Sequence, residues 1–180
     1  YLQNPLGIDV LHPRLSWELI SDGKNKSQSA YKILVASNLE LLNNNKGDLW
    51  ETDKVLSDQS IHISYDGKPL KSRQQCYWKI MVWDEKGGAS DWSEAAHWEM
   101  ALLDENDWTA SWIEAPRVNH WHSFQKETRH TKRDAPKIYY EAAPYLRKGF
   151  NIEKPIAKAR AYFSGMGLYE LSFNGNKIGD

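Results

Sequence analysis

The sequence predicts an all-β chain, one β-sandwich followed by an incomplete second β-sandwich. Three observations carry this. About seven short runs of alternating apolar and polar residues lie between turn signals in roughly the first hundred positions, which is the spacing of a sandwich and not of a parallel α/β sheet. No helical period is sustained beyond a turn or two. Nine Trp and nine Tyr supply the large buried area per residue that a thin sandwich core needs.

Taken in order, Asn4-Pro5 and His12-Pro13 are turn signals. Leu15-Ser16-Trp17-Glu18-Leu19 then alternates cleanly, so one face is expected to be buried. Ser21-Asp22-Gly23 ends that strand, and residues 24–29 form a polar loop. Ala30 to Ser37 reads as a second strand, with Tyr31, Ile33 and Val35 on one face. Asn38 is placed to cap a single helical turn over Leu39-Glu40-Leu41-Leu42. Leu49 to Thr52 and Ile61-His62-Ile63 are short strands. Gln75 to Asp84 is the strongest strand. Both its faces are partly apolar, so a central position is predicted. Lys86-Gly87-Gly88 turns the chain, and Trp98 to Leu102 returns as the last strand of the unit. Trp17, Trp78, Ile80 and Val82 are expected to form the core.

Residues 103–113 read as a linker with Trp108 and Trp112 as aromatic anchors. Residues 116–143 are polar, without period, and read as a long loop. Strand signals resume over Leu146 to Ile152, Ala157 to Ser164 and Leu168 to Phe173. Asn174-Gly175 is a type I′ hairpin signal. The expected organisation is a sandwich over 1–103, a linker and polar loop over 104–145, and the first strands of a truncated second sandwich over 146–180.

Composition narrows the function. The net charge is −1, from 23 basic and 24 acidic residues, without the basic surplus of a nucleic-acid binder or the basic amphipathic segment of a membrane binder. A neutral partner such as a sugar fits this balance, as does no partner. The single cysteine, Cys76, excludes a disulfide framework and a thiolate zinc site, and its apolar setting reads as core. No apolar run approaches the roughly 20 residues of a membrane span. The chain opens on Tyr1, so its natural start is expected to lie upstream, and the lack of a leader says nothing about secretion.

Several blocks together resemble one family. They are Asn4-Pro5-Leu6-Gly7-Ile8-Asp9, Pro13-Arg14-Leu15-Ser16-Trp17, Tyr77-Trp78-Lys79-Ile80, Val82-Trp83-Asp84 and Asp91-Trp92-Ser93-Glu94. To these add Asp107-Trp108-Thr109-Ala110-Ser111-Trp112-Ile113 and the block from Leu146-Arg147-Lys148 through Ser164-Gly165 to Asn174-Gly175. In this order they resemble the opening of bacterial α-L-rhamnosidases. The resemblance implies a fibronectin type III-like (immunoglobulin-like) first domain and the start of a jelly-roll-type sandwich. It also implies a parent enzyme that removes terminal α-L-rhamnose from glycosides with inversion. The family's catalytic carboxylates lie in an α-helical barrel further along, so no catalytic residue carries over to this chain. Over residues 116–143 no block of the family is identified.

The chemistry-bearing residues agree with a non-catalytic piece. An inverting glycosidase needs an acid and a base roughly 6.5–9.5 Å apart. Glu99, Asp104, Glu105 and Asp107 lie at a strand end or in the linker, and Glu170 alternates outward, so no catalytic residue is expected. His120 and His122, with His130 nearby, lack a partner acid or Cys at ligand spacing, so neither a metal nor a cofactor is expected. Arg129 to Arg133 is a short basic run in a polar loop. Trp83, Trp92 and Trp121 are the candidate carbohydrate contacts, against packing on neighbouring domains or under Lys and Arg side chains.

The functional expectation is an accessory region whose partners are downstream domains of the same polypeptide and rhamnose-containing glycans. Periplasmic or extracellular placement is expected, with the cytoplasm as the other option. A free-standing fibronectin-like binding or adhesion module is the alternative from another class. An enzyme in its own right is the third reading. The close pair Trp108 and Trp112 favours docking over a flexible linker.

Overall fold

A computed structural model describes residues 2–21, 23–24, 26–115 and 143–178. The chain divides into two units, Tyr1–Ser111 and Trp112–Asp180, and each is taken by itself.

The first unit is built on one long antiparallel pair. Strand β3 (Gln28–Ala36) runs against β7 (Gln75–Asp84), from Gln28 opposite Asp84 to Ala36 opposite Tyr77, with one register shift between Gln28 and Ala30. Strand β8 (Ala96–Met100) pairs with the other side of β7, so β7 is central as predicted. The short strands β4 (Trp50–Glu51) and β5 (Val55–Leu56) both pair with β3. Strand β1 (Leu6–Ile8) closes the far edge, parallel to β8. A second sheet of two strands, β2 (Arg14–Leu15) and β6 (Ile63–Ser64), lies over this six-stranded one.

The opening Asn4-Pro5-Leu6-Gly7-Ile8 block makes the parallel edge. Asn4 Oδ1 accepts from the His97 amide at 2.8 Å, Pro5 O accepts from the Glu99 amide, and Ile8 O accepts from the Ala101 amide. Between Leu6 and Ile8 the register slips at Gly7, whose φ of +78° is a conformation that glycine adopts without steric cost.

Alternation along β3 sends Tyr31, Ile33 and Val35 into the core, as predicted. There they meet Leu15 and Ile63 of the second sheet, Tyr65 just beyond it, Ile80 of β7, and Trp98 and Met100 of β8. Tyr65 organises the centre. Its ring stands edge-on to Trp50 and Trp98, with centroids 5.4 and 6.0 Å away. Its hydroxyl donates to Lys68 O at 2.7 Å, so the buried phenol is satisfied. The opposite face of β3 is covered as well. Leu34 and Ala36 pack with Leu42 from helix α1 (Leu39–Asn43), whose Asn38 cap accepts from the Leu41 amide at 2.9 Å.

Several expectations need correction. Of Trp17, Trp78, Ile80 and Val82, only Ile80 is buried, and the other three are partly buried and pack against the core. The strand expected over Leu15 to Leu19 stops at Leu15, because Ser16 Oγ takes the His62 amide and His62 itself turns to φ +57°. Beyond that point the Trp17 amide bonds to Ser60 O, and its side chain turns to β3, where Nε1 donates to Gln28 Oε1 at 2.9 Å and the ring stands edge-on to Tyr31. The last strand starts and ends two residues earlier than Trp98 to Leu102, which puts Glu99 inside it and not at its end. Strands β1 and β5 had no sequence signal of their own.

In the second unit, Leu171–Phe173 (β9) and Asn176–Ile178 (β10) form the predicted hairpin. Asn174 and Gly175 sit at φ +50° and +83°, the signature of a type I′ turn. The strands expected over Leu146 to Ile152, Ala157 to Ser164 and Leu168 to Glu170 are not formed among the described residues. A strand requires a neighbour that takes its amides and carbonyls. Here that ladder is absent, and Leu146, Phe150, Ile152 and Leu168 are exposed. The expected loop over 116–143 falls, except for residue 143, outside the described residues.

Two outcomes test this core. Trp98 is 3% exposed, so Trp98→Ala is expected to cost about 3–5 kcal/mol in urea melts, and Trp78→Ala less because it is half-buried. Burial pushes the Cys76 thiol up to about 12, with the Asp48 carboxylate adding to it. Burial likewise raises the Tyr65 phenol to about 12. The native state thus holds protons that the unfolded chain releases from about pH 9 upward. Stability is therefore complete below pH 9 and falls as pH rises towards 12, and Cys76→Ala should remove the earliest part of that fall in melts across pH.

Candidate carbohydrate-contacting aromatics

Strand β7 alternates Trp78, Ile80 and Val82 inward with Tyr77, Lys79, Met81 and Trp83 outward. Trp83 stands near the end of this outer face, opposite Ala30, and is bridged to Ala89 beyond the turn. Gly87 makes that turn at φ +83°, and Asp84 Oδ1 accepts from the Lys86 and Gly88 amides. Lys54, one residue before β5, carries its ammonium 4.5 Å from the Trp83 ring centroid. The ring's negative face attracts the cation, and the half-buried indole is thereby engaged within its own sheet.

Trp92 is held differently. After the turn the chain leaves the ladder, and two serines take over its bonds to β7. Ser90 and Ser93 donate their amides to Val82 O and Ile80 O at 2.9 and 2.8 Å. Their hydroxyl oxygens accept from the amides of those same residues at 3.1 Å. The intervening Asp91-Trp92 is released from pairing, and Trp92 packs on the Leu34, Ala36 and Leu42 cluster. Lys79 lies 5.1 Å from the Trp92 ring, is 8% exposed, and donates to Asn45 Oδ1 at 2.6 Å. Burial lowers the pKa of this ammonium, and the amide oxygen and the ring are its compensation. Trp83 and Trp92 therefore share one sheet face, each with its own lysine. The sequence allowed for Lys or Arg side chains against these rings but not for which ones, because the pairing that brings Lys54 and Lys79 there is long-range. Trp121 lies outside the described residues.

The carboxylates are placed structurally. Glu99 is within β8 and 2% exposed. Asp104 Oδ1 caps a 3-10 turn (Glu105–Asp107) by accepting from the Asn106 amide at 2.8 Å. Asp107 meets Arg73 at 3.5 Å, and Glu170 meets Lys177 at 3.6 Å across the β9–β10 hairpin. An open depression of about 450 Å³ includes Asp104 and Asp107 in its wall, together with Leu11, Leu70, Arg73 and Leu103. Both acids are thus already bonded to neighbours. Among the described residues no group of three or more His, Cys, Asp or Glu could hold a metal ion. His120, His122, His130 and the basic run Arg129 to Arg133 lie outside the described residues. Cys76 is fully buried, and its raised pKa keeps it a thiol, which is the setting of a packing residue and not of a nucleophile.

The comparisons with known proteins agree with this picture. Residues 1–104 match the model of the family described as the Rha78A-like, N-terminal immunoglobulin domain. An α-L-rhamnosidase of Formosa agariphila is 39% identical over 188 aligned positions, covering 98% of this chain and 19% of that protein. An α-L-rhamnosidase structure from Dictyoglumus thermophilum superposes with a TM-score of 0.62 at 40% identity, over 65% of this chain and 13% of that one. The Streptomyces avermitilis α-L-rhamnosidase structure, complexed with L-rhamnose, gives a TM-score of 0.61 at 46% identity, over 64% of this chain and 11% of that one. The chain thus spans no more than about a fifth of the length of the relatives that it matches. With an immunoglobulin-like sandwich in its first unit and a family match over more than half its residues, the chain belongs to the Rha78A-like family, in the N-terminal region of α-L-rhamnosidase-like proteins.

Proposed function

We propose that this chain is the non-catalytic N-terminal accessory region of a glycoside hydrolase that releases terminal α-L-rhamnose from glycosides. One observation carries the reading. At 39% identity the match runs through 98% of the chain, yet takes in only 19% of a relative named α-L-rhamnosidase. Alignment end to end with the front of a much longer enzyme is what an accessory region should give. The carboxylates support it too, since Asp104, Asp107 and Glu170 are each tied to a neighbouring group. In this reading the sandwich acts through the downstream domains of the same polypeptide, which it positions. Trp83 and Trp92 serve its own sheet, because each ring carries a lysine, and not as a sugar platform.

The 180-residue chain is therefore expected to release no rhamnose from a chromogenic α-L-rhamnoside. Release that co-purifies with the chain, and disappears in Asp107→Asn or Glu170→Gln, would overturn the reading. A titration with L-rhamnose should also leave the indole N–H resonances of Trp83 and Trp92 unmoved. Saturable shifts at Trp83 that Lys54→Ala enhances would instead establish a glycan contact there.

A further inference from the structure

We infer that Ser72 and Arg73 form a latch that makes residues 101–108 a rigid extension of the first domain, so that the pivot of the linker lies beyond Trp108. The turn between Leu70 and Gln75 stands beside the segment that leaves β8, and it holds that segment at successive points. Gln74 O accepts from the Met100 amide at 2.8 Å, and Ala101 O accepts from the Arg73 amide at 3.0 Å. The Ser72 hydroxyl then accepts from the Leu103 amide at 2.8 Å, a bond that no sheet ladder supplies. The Leu103 side chain packs on the domain's core. Asp104, the next residue, caps the 3-10 turn, whose internal bonds run from the Asp107 amide to Asp104 O and from the Trp108 amide to Glu105 O.

Arg73 closes the far end. Its Nη2 donates to Asp107 O at 3.1 Å and its Nη1 lies 3.5 Å from Asp107 Oδ1. The backbone of Arg73 sits at φ +64°, in the left-handed region that a non-glycine residue occupies at a cost. That conformation aims its amide at the exit strand while its guanidinium reaches the turn. The ion pair alone would count for little, since both side chains are substantially exposed. The holding comes from several bonds acting on one short segment, with the core contact of Leu103 at its middle.

Such an extension would give the sandwich a stiff arm through which to orient whatever follows. The inference concerns this segment alone and stands whether or not the parent is a rhamnosidase. Amide hydrogen exchange by NMR on the whole 180-residue chain tests it. The Leu103, Asp107 and Trp108 amides should exchange at least about tenfold more slowly than unstructured amides of the same sequence. Ser72→Ala and Arg73→Ala should each lose protection at these positions while Ile80 and Val82 stay protected. Random-coil exchange at 103–108 in the unmodified chain, or unchanged protection in both variants, would overturn the latch. If a variant loses protection at Ile80 too, the unmodified chain's pattern decides alone.

Discussion

The pairing of β3 with β7 is the constraint on which the first domain depends. From Gln28 opposite Asp84 to Ala36 opposite Tyr77, this ladder joins the two longest strands and sets which side chains face each way. A slip of one residue would send Tyr31, Ile33 and Val35 to the outer face and bring Lys32 into the core. Both faces are committed. The inner one meets Leu15, Ile63 and Tyr65, and the outer one carries α1 and the Trp92 flap. Gln28 ties the near end of the ladder to the rest. Its amide oxygen accepts from Trp17 Nε1 at 2.9 Å, and its amide nitrogen donates to Ser57 O and Gln59 O at 3.0 Å. One buried side chain thereby anchors two loops, the one that carries Trp17 and the one that carries Ser57 and Gln59.

The legible parts of this fold were those written in local pattern. Strand β7 was found at its observed limits because ten residues of alternation sit between a polar turn and an Asp-Glu-Lys-Gly turn. The Asn38 cap and the Asn174-Gly175 turn were also local chemistry, and each formed as read. What stayed hidden depends on a distant partner. Strand β1 is an edge held by Asn4 and by β8 backbone more than ninety positions away. Strand β5 is two residues long. Conversely, the alternation over 146–164 made no strand, since alternation predicts a face and not the neighbour that must pair with it.

The same distinction governs the candidate site. The outward position of Trp83 was readable from its place in β7. Its engagement by Lys54, and that of Trp92 by Lys79, were not, because residues about 30 and 13 positions apart meet only through the sheet. The Asp91-Trp92-Ser93-Glu94 block gains a physical account from this geometry. Ser93 replaces a missing strand bond, and the release of Trp92 lets it cover the outer apolar cluster beside a buried lysine. The Asn4-Pro5 block and the Tyr77 to Asp84 block are likewise explained by edge closure and central pairing. These motifs are thus accounted for by folding, which fits the accessory role proposed for this region.

The first domain's stability belongs to the domain itself. Its core is complete within Tyr1–Ser111, with both faces of the β3–β7 ladder covered from inside that span. The direct measurement is urea unfolding of residues 1–111 alone beside the full 180-residue chain, followed by tryptophan fluorescence. A single cooperative transition with the same midpoint in both is predicted. A non-cooperative or markedly lower transition for 1–111 would contradict it, and would mean that the sandwich borrows its stability from the residues that follow.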